Sequence, residues 1–141
     1  MKRILVGVDG SDISKAAAEF AAALAQATGA ELQLVCAFQP LVFSFGAGET
    51  PEVANQEYEA ALHTAKTSLS DASALIALGG KRLTTLAVPG EPADALAELA
   101  KGQVDLVVVG HRGRNAVARA LLGSVADRLV QICPRPVLVF R

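Results

Sequence analysis

Five short apolar runs recur along the chain, and longer segments with helical periodicity separate them. Short runs rich in Val, Ile and Leu predict strands, and such runs are typical of strands buried on both faces of a parallel sheet. The predicted strands are Arg3–Val8, Glu31–Ala37, Arg82–Val88, Val104–Val109 and Val137–Phe140.

The segments between the strands place apolar residues at helical spacing, with Phe20 on the apolar face of the first. The segment Phe38–Pro51 contains two prolines and two glycines and predicts a long loop, which in a compact domain is usually functional or mobile. The predicted helices run from Ser11 or Asp12 to Gly29, from about Glu52 to Leu78 before Gly79-Gly80, from Pro92 to near Lys101-Gly102, and from Ser124 through Val125, Leu129 and Ile132.

Strands that alternate with helices predict an α/β fold, an open, doubly wound parallel sheet with helices on both faces. Helical crossovers join parallel strands and are right-handed. Ligands of such sheets bind beyond the carboxyl ends of the strands, where the strand order reverses. If the first strand is central and the fourth lies beside it, the ligand crevice is walled by Asp9-Gly10-Ser11 and by Gly110–Gly113.

Composition narrows the class of protein. The chain has 141 residues, enough for one domain predicted to span residues 1–141, and 52% of them are hydrophobic. The net charge is −1 without a basic cluster, which argues against a nucleic acid as the main partner. No run is long enough to span a membrane, and the first strand opens the chain, so we expect a cytoplasmic protein without a signal peptide. Cys36 and Cys133 lack a metal-binding spacing and are predicted to be reduced core residues.

The strongest candidate for chemistry is the stretch from Val104 to Ser124. Gly110 ends a strand, Gly113 follows it, and Gly123 precedes Ser124 at the start of the last helix. Glycine tolerates positive φ and lets a ligand approach the backbone, and a helix start capped by a serine suits an anion. The spacing is neither a Walker loop nor the Rossmann fingerprint. Two interpretations therefore stand: a cradle for a polyphosphate, or turn glycines with a purely structural role.

The residues around these glycines resemble the universal stress protein family. The similarity rests on Gly110–Gly113 with Gly123-Ser124-Val125, on Ile4–Ser11, on the turn Gly90-Glu91-Pro92 and on the terminal strand. The spacing G-2x-G-9x-G-S matches the ATP-binding branch of that family. The resemblance covers the whole chain and implies a Rossmann-like fold of the adenine nucleotide alpha hydrolase type, with strand order 3-2-1-4-5.

The resemblance also implies an ATP site. Asp9 would lie near the ribose or near a Mg²⁺ ion bound through the nucleotide, and Ala37 would flank the adenine. Val109, Gly110 and Gly113 would line the ribose and phosphates. Residues 123–125 would donate to the phosphate tail, where a helix dipole favours negative charge. The implied site residues are Gly7, Val8, Asp9, Ala37, Val109, Gly110, Arg112, Gly113, Gly123, Ser124 and Val125.

Two positions depart from the family pattern and lower the expected affinity. Ala126 stands where some ATP-binding members have a second hydroxyl, and Ala37 is smaller than the usual valine. Arg112 and Arg114 suit phosphates, but they suit a solvated loop equally well. Both histidines are predicted to be ordinary residues, His111 in a loop and His63 on a helix surface.

The predicted function is binding of ATP as a regulatory ligand in a stress response. No carboxylate pair or water-activating base is evident, so we expect slow hydrolysis or none, and not an enzyme. Two alternatives stay open: a nucleotide-free dimeric interaction module of the same fold, and a nucleotide-dependent transferase. The strand Val137–Phe140 should lie at an open sheet edge, and the resemblance implies a homodimer through it.

Overall fold

A computed structural model describes residues 1–39, 50–78, 82–113 and 122–141 of the chain. The centre of the predicted loop, the stop at Gly79-Gly80 and Arg114 lie outside these residues. The elements follow in the order β1 (Arg3–Gly7), α1 (Asp12–Thr28), β2 (Glu31–Phe38), α2 (Pro51–Ala74), β3 (Leu83–Pro89), α3 (Pro92–Leu99), β4 (Leu106–Gly110), α4 (Ser124–Ile132) and β5 (Val137–Phe140).

The strands form one parallel sheet in the order β3-β2-β1-β4-β5, which confirms the predicted fold and topology. In the centre of the sheet Val6 is in register with Leu34 of β2 and with Val108 of β4. From β1 the chain adds β2 and then β3 on one side of the sheet. It adds β4 and then β5 on the other side. The strand order therefore reverses between β1 and β4, and a crevice opens beyond their carboxyl ends.

Helices cover both faces of the sheet and bury its apolar side chains. Ile4 and Val6 pack in the layer formed with α1 and α2, whereas Leu5 packs in the layer formed with α3 and α4. This alternation follows from the two-residue period of a strand. The helices contribute mainly alanines to both layers, and these small side chains let the helices lie close to the sheet.

Predicted positions in three helices differ from the structure. Helix α2 ends at Ala74 instead of Leu78, since the chain leaves the helix and buries Leu78 against the core. Phe20, predicted on the apolar face of α1, is 43% exposed, and its ring lies 5.6 Å from that of Phe140 in β5. Ile132, predicted on the apolar face of α4, is exposed as well, because Leu129 and Ala126 form the buried face.

The amino edge of the sheet is fixed by Asp105. Its Oδ2 accepts hydrogen bonds from the backbone N–H groups of Lys2, at 2.5 Å, and of Arg3, at 3.0 Å. These bonds lower the pKa of the Asp105 carboxyl below its ordinary value. Asp105 lies in the turn before β4, so β4 begins at Leu106 and not at Val104 as predicted.

Cys36 is buried, whereas Cys133 is half-buried. None of the helices within the described ranges is long and apolar enough to cross a membrane.

Candidate functional site

A cavity of about 650 Å³ opens at the carboxyl ends of β1, β2 and β4, where the strand order reverses. Its size lies within the range of roughly 300–1,000 Å³ that is usual for small-molecule sites. All eleven residues predicted for the nucleotide site line this cavity. The structure therefore brings together residues that are more than a hundred positions apart in the chain.

The motif glycines lie where two backbone segments approach each other closely. A Cβ atom at Gly113 would lie 2.6 Å from Oδ2 of Asp9, a distance that carbon and oxygen do not tolerate without a shift. A Cβ atom at Gly123 would lie 3.1 Å from the Cα atom of Arg112 and 3.1 Å from the carbonyl oxygen of His111. A side chain at position 113 would therefore require a shift of the Asp9 carboxylate, and one at position 123 would require a small shift of the neighbouring backbone.

The described motif glycines do not use the positive φ that glycine tolerates. Among the described residues, positive φ occurs at Gly10, Gly29 and Gly90, and Gly123 has φ −66°. Gly10 has φ 84° in the turn between β1 and α1. A glycine is required at this turn for its left-handed backbone geometry. The motif glycines instead allow neighbouring atoms to come close to the backbone.

Helix α4 begins at the cavity without a side-chain cap. Its N-cap is Gly123, whose N–H donates to the carbonyl oxygen of His111 at 2.6 Å. No side chain of the described residues accepts from the first turn, so the prediction of Ser124 as the cap is wrong. Ser124, Val125 and Ala126 all line the cavity. The first N–H groups of a helix carry partial positive charge, so this helix start suits an anion.

Helix α1 begins at the same cavity with a side-chain cap. The Ser11 hydroxyl accepts from the backbone N–H of Ser14 at 3.3 Å, which identifies Ser11 as the cap. The N–H and hydroxyl of Ser11 both donate to Oδ1 of Asp9, at 3.0 and 2.5 Å. Ser14 is buried and its hydroxyl donates to the Ser11 carbonyl at 2.9 Å. These bonds fix the Asp9 carboxylate at the cavity wall.

The wall formed by β2 and α3 is apolar. Ala37 lies near the end of β2, and Leu96 of α3 is 2% exposed. A Cβ atom at Gly7 would lie 2.8 Å from Cδ1 of Leu96, so the glycine makes room for this leucine. Ala126 is buried in the α4 wall and brings no hydroxyl to the cavity.

Part of the cavity lining was not predicted from the sequence. The α2 residues Ala61, Thr64, Ala65 and Ser68 border the cavity, although no local motif marks them. They reach it through the packing of α2 on the sheet, which a pattern along the chain does not specify. Ser14 carried a usable signal, because it stands three residues after the cap Ser11, where a capped N–H is expected.

The helices α3 and α4, which both border the cavity, are joined at the surface by an ion pair. Nη2 of Arg128 lies 2.8 Å from Oδ1 of Asp94, and this contact raises the pKa of the Arg128 guanidinium. Both side chains are half exposed, so the pair orients the helices more than it stabilises the fold.

The model of the universal stress protein family matches residues 1–141. The chain belongs to the universal stress protein family. A universal stress protein of Thermus aquaticus is 38% identical over 141 residues, which cover 99% of this chain and 98% of that relative. The family resemblance seen in the sequence is thereby confirmed.

Solved universal stress proteins share the fold. UspA from Lactobacillus plantarum has a TM-score of 0.84 and 27% identity, with 99% of this chain and 97% of that chain covered. A universal stress protein in complex with cAMP has a TM-score of 0.65 and 32% identity, with 99% and 96% covered.

Proposed function

We propose that this universal stress protein binds an adenine nucleotide, ATP first among them, as a regulatory ligand in the cavity between β1 and β4. The observation that carries the proposal is the start of α4, which has no side-chain cap among the described residues. It faces a cavity of about 650 Å³ beside two glycines, Gly113 and Gly123, at which a Cβ atom would lie 2.6 and 3.1 Å from neighbouring atoms. A relative at 32% identity binds cAMP, which supports an adenine nucleotide.

The two kinds of wall match the two ends of a nucleotide. The apolar wall with Ala37 and Leu96 suits the planar adenine, and the start of α4 suits the phosphates. In this arrangement the backbone N–H groups and the hydroxyl of Ser124 donate to phosphate oxygens. The G-2x-G-9x-G-S spacing, which marks the ATP-binding branch of the family, favours ATP over shorter nucleotides.

Asp9 suits a role beside the ribose or beside a magnesium ion carried by the nucleotide. Its Oδ1 accepts two hydrogen bonds from Ser11, so the carboxylate is held in place at the cavity wall. Magnesium prefers one or two carboxylates together with substrate phosphates. Within the described part of the chain no three metal-ligating side chains form a cluster, so the phosphates supply most of the ligands in this proposal.

A regulatory role fits the cavity better than rapid hydrolysis. Of the described residues that line it, Asp9 alone carries a carboxylate and none is a histidine. Hydrolysis of ATP requires a group that orients the attacking water, and Asp9 is already engaged by Ser11. We therefore expect slow turnover.

We also propose that two copies associate through β5. This strand forms the edge of the sheet, and Phe20 and Val130 expose apolar surface, at 43% and 55%. The carbonyls of Pro136 and Phe140 accept from β4, so by strand alternation the N–H of Val139 faces the open edge. Val139→Pro should give monomers in light scattering, and Val139→Ala should leave the mass unchanged. A monomeric wild-type protein at micromolar concentration would exclude this assembly.

The nucleotide proposal is tested by what the purified protein carries. The protein is isolated without added nucleotide and denatured, and mass spectrometry identifies the released small molecules. Release of an adenine nucleotide, or binding of ATP in titration calorimetry, is expected. A protein that releases none and binds none at millimolar ATP would favour the nucleotide-free interaction module.

A further inference from the structure

His111 joins the last strand to the start of α4 through its backbone. Its N–H donates to the carbonyl oxygen of Phe140 at 2.7 Å, and its own carbonyl accepts from the N–H of Gly123 at 2.6 Å. His111 does not line the cavity, but its neighbour Arg112 does. The residue thus lies directly behind the wall at which we place the phosphates.

The ring of His111 makes two further contacts, and together they determine the tautomer of the neutral ring. Nδ1 lies 3.3 Å from the carbonyl oxygen of Phe140, and Nε2 lies 3.0 Å from Nε of Arg112. A carbonyl oxygen accepts only, so Nδ1 carries the proton, and a guanidinium donates only, so Nε2 is bare. Both contacts are satisfied by the neutral Nδ1–H tautomer alone.

We propose that His111 is a positioning residue that orients Arg112 towards the phosphates of the ligand, an inference that rests on the proposed nucleotide site. Nε2 of His111 accepts the Nε–H of Arg112, and the terminal N–H groups of the guanidinium are left for phosphate oxygens. A free arginine loses rotamer freedom when it binds a ligand. An arginine that is held beforehand loses less, and the ligand binds more tightly.

The alternative is that the ring only fills space behind the loop. Two substitutions distinguish these roles, because each one keeps the hydrogen-bonding function of one ring nitrogen and removes that of the other. His111→Asn keeps a donor near Nδ1 for Phe140 and removes the acceptor for Arg112. His111→Gln places an amide oxygen near the position of Nε2 and so keeps the acceptor. A space-filling role predicts losses that follow side-chain volume and therefore persist when Arg112 is absent, whereas a positioning role predicts losses that need Arg112.

The first measurement needs no ligand. The ¹⁵N spectrum of the imidazole nitrogens distinguishes the two neutral tautomers, and the chain has two histidines. His63 is exposed on α2, so the variant His63→Gln assigns the signals without touching the cavity. We expect the Nδ1–H tautomer for His111 at neutral pH. The Nε2–H tautomer would overturn the proposal, because Nε2 could then not accept from Arg112.

The second measurement is ATP affinity by calorimetry, in the wild type and with Arg112→Leu. His111→Asn should weaken ATP binding about three- to tenfold, the effect of one hydrogen bond, and His111→Gln should bind close to wild type. In the Arg112→Leu background His111→Asn should have no further effect, because the arginine that it orients is gone. Equal losses in the two His111 variants, or a full loss that persists without Arg112, would overturn the positioning role. A wild type that binds no ATP would overturn the proposed function instead, and the nitrogen spectrum would still decide whether His111 holds Arg112.

Discussion

The starts of α1 and α4 follow neighbouring strands and border the same cavity, yet their first turns are completed in opposite ways. At α1 the Ser11 hydroxyl caps the helix and is itself bonded to Asp9. At α4 the cap is Gly123, and no side chain in the described ranges takes its place as an acceptor. At the first helix start one N–H group is satisfied by a side chain, whereas at the second no described side chain accepts from the first turn, which leaves donors for a ligand.

The difference is imposed by packing. A Cβ atom at position 123 would lie 3.1 Å from backbone atoms of Arg112 and His111, so a capping serine or aspartate fits there only if this backbone shifts. The loop that follows β4 therefore disfavours a capping side chain at this position. We infer that the start of α1 contributes mainly to the stability of the fold and that the start of α4 contributes mainly to ligand binding. Substitutions at the two helix starts test this difference.

The largest effect is expected for Gly113→Val. The new Cβ atom would lie 2.6 Å from Oδ2 of Asp9, and the branched side chain would enter the cavity. ATP affinity should fall by about tenfold or more, since displacement of the carboxylate and loss of space act together. Titration calorimetry measures the affinity, and circular dichroism checks that the fold survives.

The matched control is Gly102→Val, in the turn that follows α3. A Cβ atom there would lie 3.3 Å from the carbonyl oxygen of Leu99, and the residue is exposed and outside the cavity. This variant should bind ATP like the wild type. If both valine variants bound ATP equally well, Gly113 would have no part in the site.

A smaller effect, on stability and not on binding, is expected for Ser11→Ala. The substitution removes the cap of α1 and one bond to Asp9, so the free energy of unfolding should fall by about 1–2 kcal/mol. Asp9 keeps its bond from the backbone N–H of residue 11, and ATP affinity should change little. Urea denaturation gives the stability. A large loss of affinity with unchanged stability would reverse the roles that we assign to the two helix starts.

The smallest effect, on binding and not on stability, is expected for Ser124→Ala. Ser124 makes no capping bond, so its removal should leave the unfolding free energy within a few tenths of a kcal/mol. The loss of one hydroxyl donor should cost about 0.5–1 kcal/mol of ATP binding. AMP should lose less, because we propose that the hydroxyl donates to the phosphate tail. An equal loss for ATP and AMP would place Ser124 elsewhere.

Much of the fold was predictable because its determinants are local. The apolar runs and the helical spacing predict strands and helices in order, and the carboxyl ends of β1 and β4 then meet by topology. The start of α4 without a cap from the described side chains was not predictable, because it depends on the 3.1 Å approach of position 123 to the backbone of Arg112 and His111. The wall formed by Thr64 and Ser68 depends on how α2 packs, and the contact of His111 with Phe140 depends on where β5 ends.

The most direct test of the binding role of α4 is a titration followed by the backbone amide resonances of Ser124, Val125 and Ala126. ATP should shift these three amides strongly, and adenosine, which lacks phosphates, should leave them nearly unchanged. The amide of Ser14, already bonded to Ser11, should respond weakly to both ligands. Binding of ATP without a shift at residues 124–126 would contradict the assignment of the phosphate site to the start of α4.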